Sequence, residues 1–177
     1  MKVNVENDTD LIIRNLRRGY EGTAINDAVL LATVVYRKED DEHLITAATN
    51  ASPIVITSAN HGLSNGDKVL IRFLEGNTSA NRKVWTVANK TTNTFELSGS
   101  TGNGAWTANG QWWLVVTGAN EISCPYVTSS DGDYRGVLQG SLPLRLGTRY
   151  NCYLRDDNLY LEDFARFLDV TIGEAVS

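Results

Sequence analysis

Apolar residues in this chain fall into short alternating runs, and turn residues break those runs at close intervals. That pattern predicts β-strands joined by tight loops. Val3 and Val5 alternate with polar neighbours, and Asn7-Asp8-Thr9-Asp10 reads as a turn. Leu11 to Leu16 predicts a second strand, and Arg17 to Thr23, with two glycines, a loop. Residues 28–36 are almost continuously apolar and β-branched, which predicts a strand buried on both faces. A charge run over 37–42 follows, read as a solvated hairpin tip.

From Leu44 onward the chain turns rich in Thr, Asn and Gly. Strands are predicted near 45–49, at Ile54–Thr57, over 68–74, at 84–87, at Thr94–Leu97 and over 112–116. In the 68–74 run, Val69, Ile71 and Phe73 are expected on one face, with Lys68, Leu70 and Arg72 on the other. Asn65-Gly66 is a tight-turn dipeptide, and residues 98–110 form a long polar loop carrying Trp106. Period-two strands at this spacing predict a small barrel or curled sheet.

Beyond the block, strands are predicted at 122–127 with Pro125 at an edge or bend, at 134–138, at 142–146 and at 149–154. Asp133-Tyr134, after a turn, fits either a tyrosine corner or a plain core tyrosine. The tail is read as a helical turn near 160–165 and then a strand over 166–172. Outside 44–117 this makes about seven strands, the number of an immunoglobulin-like sandwich.

Charge sharpens the division. Residues 44–117 carry five basic and three acidic side chains, a net +2. Residues 1–43 carry six and nine, and residues 118–177 five and nine, so the flanks share an acidic character. The expected organisation is a parent domain, 1–43 plus 118–177, with 44–117 threaded into it. A net charge of −5 over 177 residues argues against general nucleic-acid binding, which needs clustered Lys and Arg. No apolar run approaches the ~20 residues of a membrane span. The N-terminal residues lack a signal-peptide core, so a cytosolic site of synthesis is expected. Cys124 and Cys152 are expected as two buried, reduced thiols.

No catalytic constellation emerges, and no cofactor or metal site is expected. A Gly-rich phosphate loop and a Gly-x-Ser-x-Gly elbow are both missing. His61 precedes Gly62 in a turn without an evident orienting acid or nucleophile. The carboxylates Asp131/Asp133 and Asp156/Asp157 read as solvated turn residues. Candidate contact residues are Trp106, in a loop, and Trp113, since Trp112 and Trp113 must face opposite ways in a strand. Contact with a neighbouring subunit, ordinary core packing and sugar binding all stay open for these rings. Arg17, Arg18 and Tyr20 form a further candidate contact loop.

Two resemblances add to this reading. Ile54-Val55-Ile56-Thr57, Ala59-Asn60-His61-Gly62-Leu63, Asn65-Gly66-Asp67 with Val69, and Thr94-Phe95-Glu96-Leu97 resemble a known small β-barrel. It is the domain found in ubiquitin-activating enzymes beside their first catalytic-cysteine half-domain, a module widespread in tailed-phage structural proteins. In the flanks, Asn7-Asp8-Thr9-Asp10-Leu11, Ala24-Ile25-Asn26-Asp27-Ala28-Val29, Gly132-Asp133-Tyr134-Arg135-Gly136 and Leu146-Gly147-Thr148-Arg149-Tyr150 resemble a phage virion domain of immunoglobulin-like fold.

The resemblances imply an all-β, non-enzymatic virion protein, assembled in the host bacterial cytoplasm. Its implied site is the neck or collar, with capsid decoration or a tail position as alternatives. Implied partners are neck, portal-ring, capsid or tail subunits, and further copies of itself in a homo-oligomer. A carbohydrate-binding module for host attachment is the rival reading.

Replacing 44–117 with a short Gly/Ser linker is expected to leave the parent folded, because insertions sit at loop tips. Circular dichroism and thermal unfolding of the deletion variant check this; an unfolded variant would show one common core.

Overall fold

The computed structural model describes residues 2–4, 9–17, 22–36, 43–117, 121–145, 149–156 and 168–173. Within them the protein is all-β. Its strands are β1 (Lys2–Asn4), β2 (Thr9–Ile13), β3 (Leu30–Tyr36), β4 (Ala47–Ala48), β5 (Ile54–Thr57), β6 (Lys68–Arg72) and β7 (Lys83–Ala88). They continue with β8 (Thr94–Leu97), β9 (Gln111–Leu114), β10 (Ile122–Cys124), β11 (Tyr134–Leu138), β12 (Arg149–Asp156) and β13 (Leu168–Gly173). The chain forms two compact units: Met1–Val34 with Gly118–Ser177, and Val35–Thr117.

The first unit holds a five-stranded sheet, β1-β13-β12-β3-β10, and a strand pair, β11-β2. β1 runs parallel to β13, while β12–β13, β3–β10 and β2–β11 are antiparallel. The strand begun by β10 changes partner at Pro125. Ser123 pairs with Leu31, whereas the Arg135 N–H bonds the Pro125 carbonyl at 3.0 Å. The Val127 N–H then bonds the Asp133 carbonyl at 2.8 Å. A residue without an N–H suits the point where one ladder is left for another. Burial of Ala32 to Val35 fits the continuous apolar character of their segment.

β2 starts earlier than its sequence suggests. Thr9 and Asp10, expected in a turn, pair with Leu138 and Val137. Arg135 grips both oxygens of Asp10, with its Nη2 at 2.8 and 2.9 Å, and that grip holds the strand end in register. Residues 142–145 are not a strand. Pro143 offers no N–H to a ladder, and Leu142 and Leu144 reach the core from turns bonded to the Gln139 and Leu142 carbonyls. The helical turn expected near 160–165 lies outside the described residues.

Two buried tyrosines tie loops to this unit. The Tyr134 hydroxyl accepts the Ala28 N–H at 3.0 Å and donates to the Ile25 carbonyl at 2.9 Å. Burial raises its pKa most, and the Asp27 and Asp156 charges add to that, against the opposing Ala28 bond. The geometry of a tyrosine corner occurs instead at Tyr150, near the start of β12. Its hydroxyl accepts the N–H of Arg145, at 2.9 Å and five residues upstream. Gly132, at φ 80°, closes a third tie. The Leu16 N–H bonds its carbonyl at 2.8 Å, and a side chain there would put Cβ 2.5 Å from the Leu16 oxygen.

The second unit holds a six-stranded sheet, β4-β5-β8-β7-β6-β9. Residues 43–49 bring its ends together. Their first half pairs with β9: Leu44 bridges Gln111, the Trp112 N–H bonds the His43 carbonyl at 3.1 Å, and the Ile45 N–H bonds the Gly110 carbonyl at 2.9 Å. Their second half pairs with β5: Ala47 faces Thr57 and Ala48 faces Ile56. The backbone ladder therefore returns on itself. Inside it, Ile54, Ile56, Val69, Ile71, Val87, Phe95, Leu97 and Trp112 form one buried cluster.

Strands this short leave many backbone groups without a ladder partner, and buried groups of that kind must be bonded. Asn side chains fill the deficit. Asn81 pairs with Leu74 as a strand would, accepting its N–H at 2.9 Å and donating to its carbonyl at 2.7 Å. Asn65 accepts the Lys90 N–H and Asn93 the Asn60 N–H, each at 3.0 Å. Fully buried Asn77 donates to the Thr49 carbonyl at 2.8 Å and accepts from Ser79 Oγ and the Asn103 N–H at 3.2 Å. The Thr/Asn/Gly composition of the block is thus a requirement of short strands and fixed loops.

Two outcomes follow. Asn77→Ala strands several buried groups and is expected to cost about 3 kcal/mol, read as a shift in the denaturant midpoint; a cost near zero would contradict the network. Burial pushes the thiols of Cys124 to about 11 and Cys152 to about 12, the latter also through the Cys124 charge. Both are free and buried. Raised values mean that their stabilising effect is whole below the ordinary 9.0 and is lost as pH rises from there through 11. The melting temperature of wild type should therefore fall more steeply above pH 9 than that of a Cys124→Ala/Cys152→Ala variant. Parallel curves would contradict the shifts.

Candidate interaction surface

Strand alternation decides which barrel residues face outward. β9 sends Trp112 into the core and Trp113 to the outside, where it lies opposite Leu70 of β6. The Trp112 indole donates to Ser58 Oγ at 2.9 Å, and the His43 ring stacks on it at 3.8 Å. One pair along, Gln111 sits between Leu44 and Arg72 and shares their face, because each is its direct cross-strand partner. An outward row, Leu44–Gln111–Arg72, crosses three neighbouring strands.

Phe73 joins this row against expectation. Alternation assigns it to the core face with Val69 and Ile71, but the strand ends at Arg72 and Phe73 has φ 60°. Arg82, at φ 63°, donates its N–H to the Ile71 carbonyl at 2.7 Å, and Asn81 holds Leu74. With both sides of the hairpin bent there, Leu74 enters the core and Phe73 is left 51% exposed. Its ring meets Trp113 edge-on at 6.2 Å, and the Arg72 guanidinium lies 4.8 Å from its centroid. Such a cation–π contact is worth about 0.5–1 kcal/mol at an exposed site.

The residues named from sequence fare differently. Trp113 is half-buried and belongs to this surface. Trp106 leans on the barrel core, and its indole donates to the Asn109 carbonyl at 2.9 Å. Arg17 is engaged within its own unit: it bonds Asn15 and the Gly22 carbonyl and pairs with Asp131. Arg18 and Tyr20 lie outside the described residues. Sequence reading missed Leu44, Arg72 and Phe73 as surface residues, since the closing segment and the bend at Phe73 both depend on distant pairing.

The groups tested for catalysis are bound into the fold. Nδ1 of His61 accepts the Leu63 N–H at 3.0 Å, which leaves the ring proton on Nε2, facing the Thr94 carbonyl at 3.2 Å. Asp133 accepts the Asn15 N–H at 2.8 Å, and buried Asp156 the Val29 N–H at 3.1 Å. Asp157 lies outside the described residues. Among the described residues, no three His, Cys, Asp or Glu side chains group closely enough to hold a metal ion. No described helix is long and apolar enough to cross a membrane.

The aromatic–arginine row is thus the described surface whose composition fits contact with another molecule. Comparison of the sequence with protein-family models and with curated proteins found no match.

Proposed function

We propose that this chain is a non-enzymatic structural protein of a tailed-phage particle, placed in the neck or collar. In this reading an immunoglobulin-like sandwich, 1–43 plus 118–177, docks among neighbouring virion subunits. The small barrel, 44–117, projects from it and adds contacts. Symmetry multiplies individually modest contacts.

The observation that carries the reading is strand order. β13-β12-β3-β10 follows the G-F-C-C′ order of an immunoglobulin-type sheet, and β2 with β11 take the B and E places. The Tyr150 bond supports the same assignment, as does Cys152 two residues after that tyrosine. The chain departs from antibody domains in having no Trp on β3 and Leu11 and Ile13, not a cysteine, buried on β2. The barrel's closed ladder supports the resemblance of its turn and strand residues to the phage-associated module.

Exposed Phe73 beside Trp113 keeps one rival in play, a glycan-binding surface for host attachment. An antibody raised against this chain should label intact particles of the phage whose genome encodes it, at the head–tail junction. Failure to label any particle would overturn the structural role. Saturable binding on a glycan array, lost in Trp113→Ala, would favour the rival.

A further inference from the structure

We infer that the barrel's outward row, Leu44–Gln111–Arg72 with Phe73 and Trp113, is the surface by which one copy of this chain grips the acidic surface of a second copy. This deepens the assembly reading above and rests on it.

The first argument is cost. An aromatic residue held at φ 60° carries roughly 1–2 kcal/mol of backbone strain. Half of Phe73 faces water, and Leu44, in the same row, is 49% exposed. The barrel core is complete without either side chain. Strain and exposed apolar surface gathered at one place mark a site whose return lies in contact with another molecule.

The second argument is composition. Phe, Trp and Arg are the kinds of residue that carry binding energy at protein interfaces. Here they touch: Arg72 lies over Phe73, and Phe73 meets Trp113. Gln111 supplies a polar group between Arg72 and Leu44.

The third argument, charge, selects the occupant. The row includes a guanidinium, and residues 44–117 carry a net +2. The remainder of the chain carries 11 basic and 18 acidic side chains, a net −7. A second copy therefore offers the opposite field, which steers encounter and sets orientation. A contact between unlike surfaces is heterologous, so it builds rings or open chains in place of a closed pair. Five side chains fall short of the ~800 Å² per partner of a stable isolated complex. Each contact is then weak, and strong association needs many copies.

Sedimentation of the full-length chain over a range of concentrations tests this. Wild type is expected to associate more with concentration and less at high salt, since salt screens exposed charges. Phe73→Gly suits φ 60° and should keep or raise the melting temperature while weakening association roughly tenfold. Leu44→Glu, at an exposed position that spares the core, should weaken it similarly by repelling acidic surface. Wild-type association in both folded variants would overturn the inference, as would a wild-type chain that stays monomeric throughout. A chain that stays monomeric yet labels phage particles would sink the inference alone; a self-associating chain that labels none would sink the virion reading alone.

Discussion

The barrel depends on one constraint: residues 43–49 must bond two strands in succession, β9 with their first half and β5 with their second. An open sheet of such short strands would leave two unpaired edges, and unpaired edges invite mispairing. Closure removes them and sets side-chain direction at the seam. Ile45 goes inward to the core and Leu44 outward beside Gln111. The outward row exists because of that choice. A slip of one residue would send Leu44 in and Ile45 out, and dismantle core and surface together.

Closure also explains the chemistry of the loops. Once the strands are short, much of the backbone lies in turns, and each turn needs donors and acceptors from side chains. Asn65, Asn77, Asn81 and Asn93 supply them at fixed points. These bonds hold the loops to the strands, so the barrel presents a fixed outer face. In the parent unit the same task falls to tyrosine hydroxyls and a glycine. Tyr134, Tyr150 and Gly132 each bond backbone in a separate loop.

Local patterning made much of this legible. Ile54–Thr57, Thr94–Leu97 and Tyr134–Leu138 form strands where alternation and flanking turns indicate them. The all-β class follows from the same signals. What alternation misplaced was set by distant partners. Phe73 leaves its face because Asn81 and Arg82 bend the opposite strand. Thr9 and Asp10 leave their turn because Arg135 reaches them from β11. Arg17 looks like a free basic side chain until Asp131, remote in sequence, is placed beside it. The tyrosine-corner bond belongs to Tyr150 and not to Tyr134, a distinction that needs the position of β12 within its sheet.

Closure of the ladder by 43–49 is the claim on which barrel, loops and surface row all rest. Amide hydrogen exchange of the intact chain, resolved at Ile45, Thr46, Thr49 and Trp112, tests it most directly. Protection at all four, matching that of the β5 and β6 amides, is the predicted result, because one cooperative opening would release them together. Rapid exchange at Ile45 and Trp112 beside protected β5 and β6 would show an open sheet and contradict the account.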